Sequence, residues 1–496
     1  MSQGLTTLHS VNDERTKMLW LVRGLAGGLL LLLATTFMSH EWVLQPTIRY
    51  YQIRRSTGMH RGNQAVGANF TLIEITKQHH TNSSPLIESE ILHQNKHPKF
   101  TKTHKRRKIL HKINGLELFL HAAFLDNRFH DTMVRILGMQ CRDAPWNSLQ
   151  FTCIIHEGEK EVGRTVAKRY FIDQTWPWWG NHYGVMIDCS FPKLPRVDSV
   201  SLISNDSRYR YDLVLEDTTQ VSKPDDLAVC VKPAYGNIQV SRLVEWFETF
   251  RLVGVTNFII YDTDIQGPSR YVLDYYEGQG LLKVVKFPFT SAIRHNVRQL
   301  HPEITPGKIS ALDQQSFLVA MQDCLYRFHK SFTHLLFVDL DEILLPSTKV
   351  KLPELLKQLD SQYLSAAGYM FLTSWHFVEH GEVAEAPDFL YMQKHAIGTQ
   401  PILNQPKSVI RTDRAVSVNF HSVLDVPQPG YSNEKMSNWH QTAYVLHFRG
   451  KCLNKFEEPT CKQMLNDTYN DMNLQGYRHT VMYNVKKVLD FLDVGD

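Results

Sequence analysis

The chain has 496 residues, 43% of them apolar, enough to bury one large core or two moderate ones. Its 54 basic and 50 acidic residues leave a net charge of +4, too small to imply nucleic-acid binding. No glycine-rich GxGxxG or GxxxxGK[ST] motif is present, which counts against dinucleotide oxidoreductases and P-loop enzymes.

Met18 to Met38, MLWLVRGLAGGLLLLLATTFM, is long enough to cross a bilayer, with Arg23 placed where it can snorkel to the interface. Arg15 and Lys17 favour a cytoplasmic amino terminus, although Arg49, Arg54, Arg55 and Arg61 reduce the asymmetry. The expectation is a cytoplasmic tail over 1–17 and a signal anchor over 18–38. A cleaved signal peptide is the competing reading, weakened because Ala34, Thr35 and Thr36 match a small-x-small site poorly. Both place the body beyond the membrane. Sequons at Asn69, Asn82, Asn205 and Asn466 agree with that side. Seven cysteines suit an oxidising compartment: Cys452 and Cys461 flank a short loop they can close, while Cys230 and Cys324 read equally well as a bridge or as small buried apolar residues.

Residues 39–112 lack sustained periodicity and read as a stem. It ends in KHPKFTKTHKRRK, whose Lys105, Arg106, Arg107 and Lys108 are read first as a solvated linker. Over 113–222 the runs LELFLHAAFL, VRILGM, FTCIIH and GVMIDCSF alternate with turn residues, which predicts a small β-rich domain. Within it, Trp176, Trp178 and Trp179 are either packing residues or a sugar-stacking surface.

The rhythm changes over 223–496. Strands are predicted at Leu227 to Val231, Asn257 to Tyr261 and Leu281 to Phe287, and helices at Ser241 to Leu252, Ser269 to Glu277 and Ser310 to Phe328, the last with a Ser310/Asp313 capping box. This alternation predicts a largely parallel sheet with ligands beyond the carboxyl ends of its strands. Two acidic clusters fall at such ends: Asp262 and Asp264 in FIIYDTD, and Asp339, Asp341 and Glu342 in HLLFVDLDEILL. Aspartates at i and i+2 project to the same side of an extended segment, and their hard oxygens suit Mn²⁺ or Mg²⁺ holding a diphosphate. Spacing alone leaves open which pair holds metal. Nearer the end, Val481, Val485, Val488 and Leu492 form a helical stripe.

Taken in order, CVKPAYGN from Cys230, EWFETFRLVGVTNFIIYD ending at Asp262, FVDLDEIL from Phe337, KSVIRTDRAV from Lys407 and HFR from His447 resemble glycosyltransferase family 92. The resemblance implies an α/β architecture with a GT-A-like, Rossmann-type nucleotide-sugar transferase domain, here behind the smaller β-rich domain and the transmembrane anchor. It implies a single-pass type II protein of the Golgi membrane with a luminal catalytic domain. The implied reaction is inverting transfer of galactose from UDP-galactose to a glycan or glycoprotein acceptor, such as the core fucose or galactose of an N-glycan. The family's DxD maps onto Asp339, Leu340 and Asp341 for Mn²⁺ or Mg²⁺, and a carboxyl-terminal histidine, His447 ahead of His421, completes the implied metal shell. Tyr261, Asp262 and Asp264 become donor-side candidates. Lys232, Arg411 and Arg449 carry charges suited to a diphosphate. Glu379, then Glu382 and Asp425, are candidates for the general base. Near Glu379 the segment SWHFVEHG departs from the form associated with relatives, which bears on acceptor choice. Two other classes fit the same residues: a luminal glycan-binding protein without turnover, and a metal-dependent phosphoesterase.

Overall fold

The apolar runs between 111 and 214 become nine antiparallel strands in two sheets, with five strands in one and four in the other. They are seen in a computed structural model describing residues 111–113, 117–142, 150–175, 180–192, 197–218 and 225–493. Alternation decides which face each side chain joins. Leu118, Leu120, Ile136, Val185 and Ile187 turn inward to meet Phe151, Val200 and Leu202 of the second sheet. Phe119, Phe124, Leu137, Met139 and Met186 face the opposite way and join the core beneath a long helix. A disulfide between Cys153 and Cys189 ties the two sheets together.

Beyond this sandwich the chain runs β1 (Asp225–Gly236), α1 (Val240–Leu252), β2 (Phe258–Ile265), α2 (Ser269–Gly278), β3 (Leu282–Lys286), α3 (Phe289–Leu300) and α4 (Pro306–Phe328). It continues through β4 (Phe332–Val338), β5 (Glu342–Pro346), α5 (Leu352–Gln362), β6 (Ala366–Phe377), β7 (Ile402–Arg411), β8 (Ser432–Met436) and β9 (Ala443–Arg449). Two helices close it, α6 (Glu458–Asn466) and α7 (Arg478–Leu492). The sheet order is β3-β2-β1-β4-β7-β6-β9-β5, with β8 beside β6.

The first four strands of that order are mutually parallel, and β6, β8 and β9 run the same way. The two reversed strands are β7, which runs against β4 and β6, and β5, which runs against β9. The sheet is thus largely parallel, as the sequence predicts, with seven of its nine strands pointing one way. Apolar residues of α1, α5 and α7 cover one face, among them Trp246, Phe250, Leu355, Val481 and Val485. Those of α3 and α4 cover the other, including Ile293, Val297, Leu318 and Leu325.

Helix α4 starts earlier than its predicted capping box. Thr305 is the cap, its hydroxyl accepting from the Lys308 amide at 3.4 Å with Pro306 behind it, and Ser310 and Asp313 lie inside the helix. Cys230 of β1 and Cys324 of α4 form a disulfide, as do Cys452 and Cys461, so Cys141 alone lies outside the three bridges. Asn205 and Asn466 are exposed. Among the described residues no helix is long and apolar enough to cross a membrane. The anchor over 18–38, the basic stem, Asn69, Asn82 and the three tryptophans fall outside the described residues.

Glu245 of α1 is fully buried and accepts from the Met392 and Gln393 amides at 2.8 and 2.9 Å. Burial pushes its carboxyl up to about 7, from an ordinary value of 4.5. Between those values the folded protein holds a proton that the unfolded chain has released. This group's contribution is therefore complete below the unfolded value and is lost as pH rises through about 7. Glu245→Gln should flatten this dependence, so that the variant gains on the parent by up to about 3 kcal/mol between about pH 5 and 8. Denaturant midpoints of the two proteins across that range measure it, and parallel curves would remove Glu245 as the cause.

Candidate functional site

The parallel strands deliver charged residues to one edge. Val231 of β1 pairs with Val338 of β4, so Lys232 and Asp339 stand side by side where that pairing ends. Their side chains meet at 2.6 Å. A tight turn follows, closed by the Glu342 amide donating to the Asp339 carbonyl at 3.1 Å and the Asp339 amide donating to the Glu342 carboxylate at 2.9 Å. Asp341 stands within that turn, and Glu342 begins β5.

Strand β9 supplies the other wall. Glu342 is paired with His447, and on the far side of β9 Trp375 of β6 occupies the matching position and stacks on the imidazole at 4.4 Å between ring centroids. His447 Nδ1 lies 3.2 Å from Glu342 Oε1, and its Nε2 lies 3.7 Å from Asp341 Oδ2. Neither contact is a hydrogen bond. Both imidazole nitrogens and Glu342 Oε1 are buried without a hydrogen-bond partner. Such groups are costly unless something else satisfies them. One donor atom from each of Asp341, Glu342 and His447 falls within a 4.8 Å cluster, a set of two carboxylates and one imidazole that fits Mn²⁺ or Mg²⁺.

Cations surround the acids. Lys407 of β7 is only 3% exposed and reaches Glu342 at 2.8 Å and Asp339 at 3.4 Å. Arg449 contacts Asp341 at 3.4 Å. Arg242 of α1 lies over the Tyr391 ring at 4.2 Å and donates to the Phe448 carbonyl at 3.5 Å. Burial alone would raise both aspartates. Instead Lys232 and Lys407 hold Asp339 below the usual carboxylate range, and Arg449 and His447 do so for Asp341. Burial would likewise lower Lys407, but Glu342 and Asp339 raise it, so it stays charged. The Trp246 indole donates to the Glu342 carbonyl at 2.8 Å and fixes α1 against the start of β5.

The predicted residues divide accordingly. Asp339, Asp341, His447, Lys232 and Arg449 come together. Asp262 is buried within β2, accepting from the Ile265 amide and from Arg270 at 2.8 Å each and paired with Lys286. Asp264 is exposed and takes the Gln266 amide at 2.6 Å. Tyr261 is fully buried, its hydroxyl on Asp323 at 2.5 Å. Arg411 is opposite His334, early in β4, and binds Asp360 at 3.1 Å and Asp413 at 3.2 Å. At about 3.3 Å per residue, the five residues from His334 to Asp339 put it some 16 Å from the acids.

His421 donates from Nδ1 to the Pro406 carbonyl at 2.7 Å; burial and then the Lys407 charge push it down to about 4, so its Nε2 keeps a lone pair at neutral pH. Glu379 is exposed in the turn after β6 and accepts from the Cys452 amide at 3.0 Å. Phe377, two residues before it, pairs with Arg449, the last residue of β9. Glu382 pairs with Lys394 at 3.2 Å, and Asp425 accepts from the Ser417 hydroxyl. Lys407, Arg242 and Trp246 were not among the candidate site residues. A lysine ahead of the apolar pair Val409 and Ile410 was the one signal of a buried cation.

The sequence profile of glycosyltransferase family 92 matches residues 225–484, over half of the chain. The chain belongs to glycosyltransferase family 92. A family 92 protein of Caenorhabditis elegans is 20% identical over 150 residues, 30% of this chain and 28% of that one. The alignment thus spans under a third of the relative's length. The family 92 segment contains every residue of the acidic cluster and its cations, while the β-sandwich lies before it.

Proposed function

We propose that this chain is a metal-dependent inverting glycosyltransferase that moves galactose from UDP-galactose to a glycan acceptor, anchored as a type II protein of the Golgi membrane. The reading is carried by one observation: Asp341, Glu342 and His447 converge beyond the parallel strands, with buried donor atoms lacking partners and four cations around them. Asp341, Glu342 and His447 would hold Mn²⁺ or Mg²⁺, which offsets the charge of a departing diphosphate. Lys232 and Arg449, each partly exposed, would bind that diphosphate by charge-assisted hydrogen bonds. Lys407 is enclosed and holds the Asp339 and Glu342 carboxylates in place.

In the transfer the acceptor oxygen bonds to the anomeric carbon while the carbon–phosphate-oxygen bond breaks, and its electron pair leaves with UDP. A carboxylate takes the acceptor proton. Glu379 is our candidate for that base because it is exposed and follows the strand position paired with Arg449. Glu379→Gln should slow transfer by about a hundredfold or more while leaving UDP-galactose affinity within about twofold. Near-parental turnover would eliminate Glu379 and move the role to Glu382 or Asp425.

The deciding experiment measures nucleotide release by the purified full chain across UDP-sugars and glycans, with Mn²⁺ and with chelator. Acceptor-dependent release from UDP-galactose alone, lost with chelator, is the expected result. Glycan binding without release would establish a lectin-like protein, and release independent of acceptor a phosphoesterase.

A further inference from the structure

A second group of metal-competent side chains lies away from the acidic cluster, where the sandwich meets α3. Cys141 ends one strand of the five-stranded sheet and is paired with His182 at the start of its neighbour. Residues directly opposite in antiparallel strands project to the same face. Glu117 precedes the adjoining strand and is tied to this pair, its carbonyl accepting from the Cys141 amide at 3.3 Å. It holds a left-handed backbone at φ 44°, unusual for a residue with a side chain. Its carboxylate meets His182 Nε2 at 2.9 Å and, from the other side, His301 Nε2 at 3.0 Å. His301 is the residue that ends α3.

We propose that Glu117, Cys141, His182 and His301 form a zinc site that clamps the β-sandwich to α3. One donor atom from each of Glu117, Cys141 and His182 already falls within a 4.8 Å cluster, and His301 touches the same carboxylate. Zinc–sulfur bonds of about 2.3 Å and zinc–nitrogen bonds of about 2.0–2.1 Å place tetrahedral ligands roughly 3.3–3.6 Å apart, so the three clustered atoms close by a small inward movement and His301, outside that cluster, swings in as the fourth ligand. The ligand types select the ion. A thiolate with two imidazoles and a carboxylate favours zinc over the Mn²⁺ or Mg²⁺ suited to the oxygen-rich cluster at Asp341.

Ion binding displaces the Cys141 thiol proton, and any proton on the ligating imidazole nitrogens, to solvent. His182 is 5% exposed and His301 38%, which gives a site closed inside and open to entry at the α3 end. The site makes no contact with the donor cluster and does not depend on the reaction proposed above.

Cobalt is the probe, because a cysteine thiolate bound to Co²⁺ produces a sulfur-to-metal charge-transfer band that oxygen and nitrogen ligands do not. The full chain, stripped of metal and titrated with Co²⁺, should develop that band at one equivalent, and Zn²⁺ should bleach it. Cys141→Ser should remove the band and Asp341→Ala should leave it. His301→Gln should weaken Co²⁺ binding by at least the roughly tenfold that even an outer-sphere partner is worth. A folded parent without the band, or a band surviving Cys141→Ser, would overturn the zinc site and mark these residues as a metal-free hydrogen-bonded cluster. If Cys141→Ser fails to fold, His301→Gln decides, since unchanged Co²⁺ affinity at that partly exposed position overturns it equally.

Discussion

Asp341→Ala is expected to cut acceptor-dependent nucleotide release by at least about a hundredfold, the loss of about 3 kcal/mol that follows removal of a group stabilising transferred charge. Asp341 qualifies because it stands between His447 and Arg449 at the sheet edge. The informative comparison is Asp264→Ala, since the same spacing after an apolar strand made the two pairs equivalent in the sequence. Asp264 is exposed and bonded to Gln266, so its removal should change the rate less than about threefold. Initial rates, with circular dichroism to verify folding, measure both. Equal losses in the two variants would return the metal site to ambiguity between the clusters.

Lys407→Met should destabilise the fold by about 3–5 kcal/mol, because removing one partner of a buried ion pair leaves the other charge uncompensated. Glu342 is fully buried and loses its cation in the variant, while Asp339 keeps Lys232. Pairing it with Glu342→Gln should recover much of the loss, as the remaining buried group is then neutral. Guanidinium unfolding of the two single variants and the double measures the coupling. Additive effects would mean that Lys407 is not what neutralises Glu342.

What the sequence revealed follows from how local each signal is. Predicted α1, α2 and β3 match their observed bounds to within a residue or so, because a helical stripe or an apolar run is written in consecutive positions. Asp339 and Asp341 were legible for the same reason, closing the apolar run of β4. Lys232, His447 and Arg449 were candidates too, but three other residues of the site were not. Lys407, Arg242 and Trp246 reach the cluster from β7 and α1, and only strand order brings them there. Tyr261 reads like a strand-end residue facing ligand, yet α4 covers that face and takes its hydroxyl through Asp323. The two reversed strands, β5 and β7, were hidden likewise, since period-two alternation does not record strand direction. Glu117, Cys141, His182 and His301 share no motif at all, being joined by the sandwich and by the end of α3.

Helix α4 is enclosed on both sides. The large sheet lies against one, and the five-stranded sheet brings Gly184 so close to the other that a Cβ there would stand 3.4 Å from the Gln315 carbonyl. Gln315 donates to the Asp173 carbonyl at 3.1 Å and accepts from the Gly184 amide at 2.8 Å, while Arg327 reaches Glu216 at 2.8 Å. The stretch that defines kinship, from residue 225 onward, is therefore not the stretch that folds as a unit. Cut out alone, it would carry an oily flank shaped for strands it no longer has. In descent, the upstream strands could diverge in wording far more readily than they could be lost.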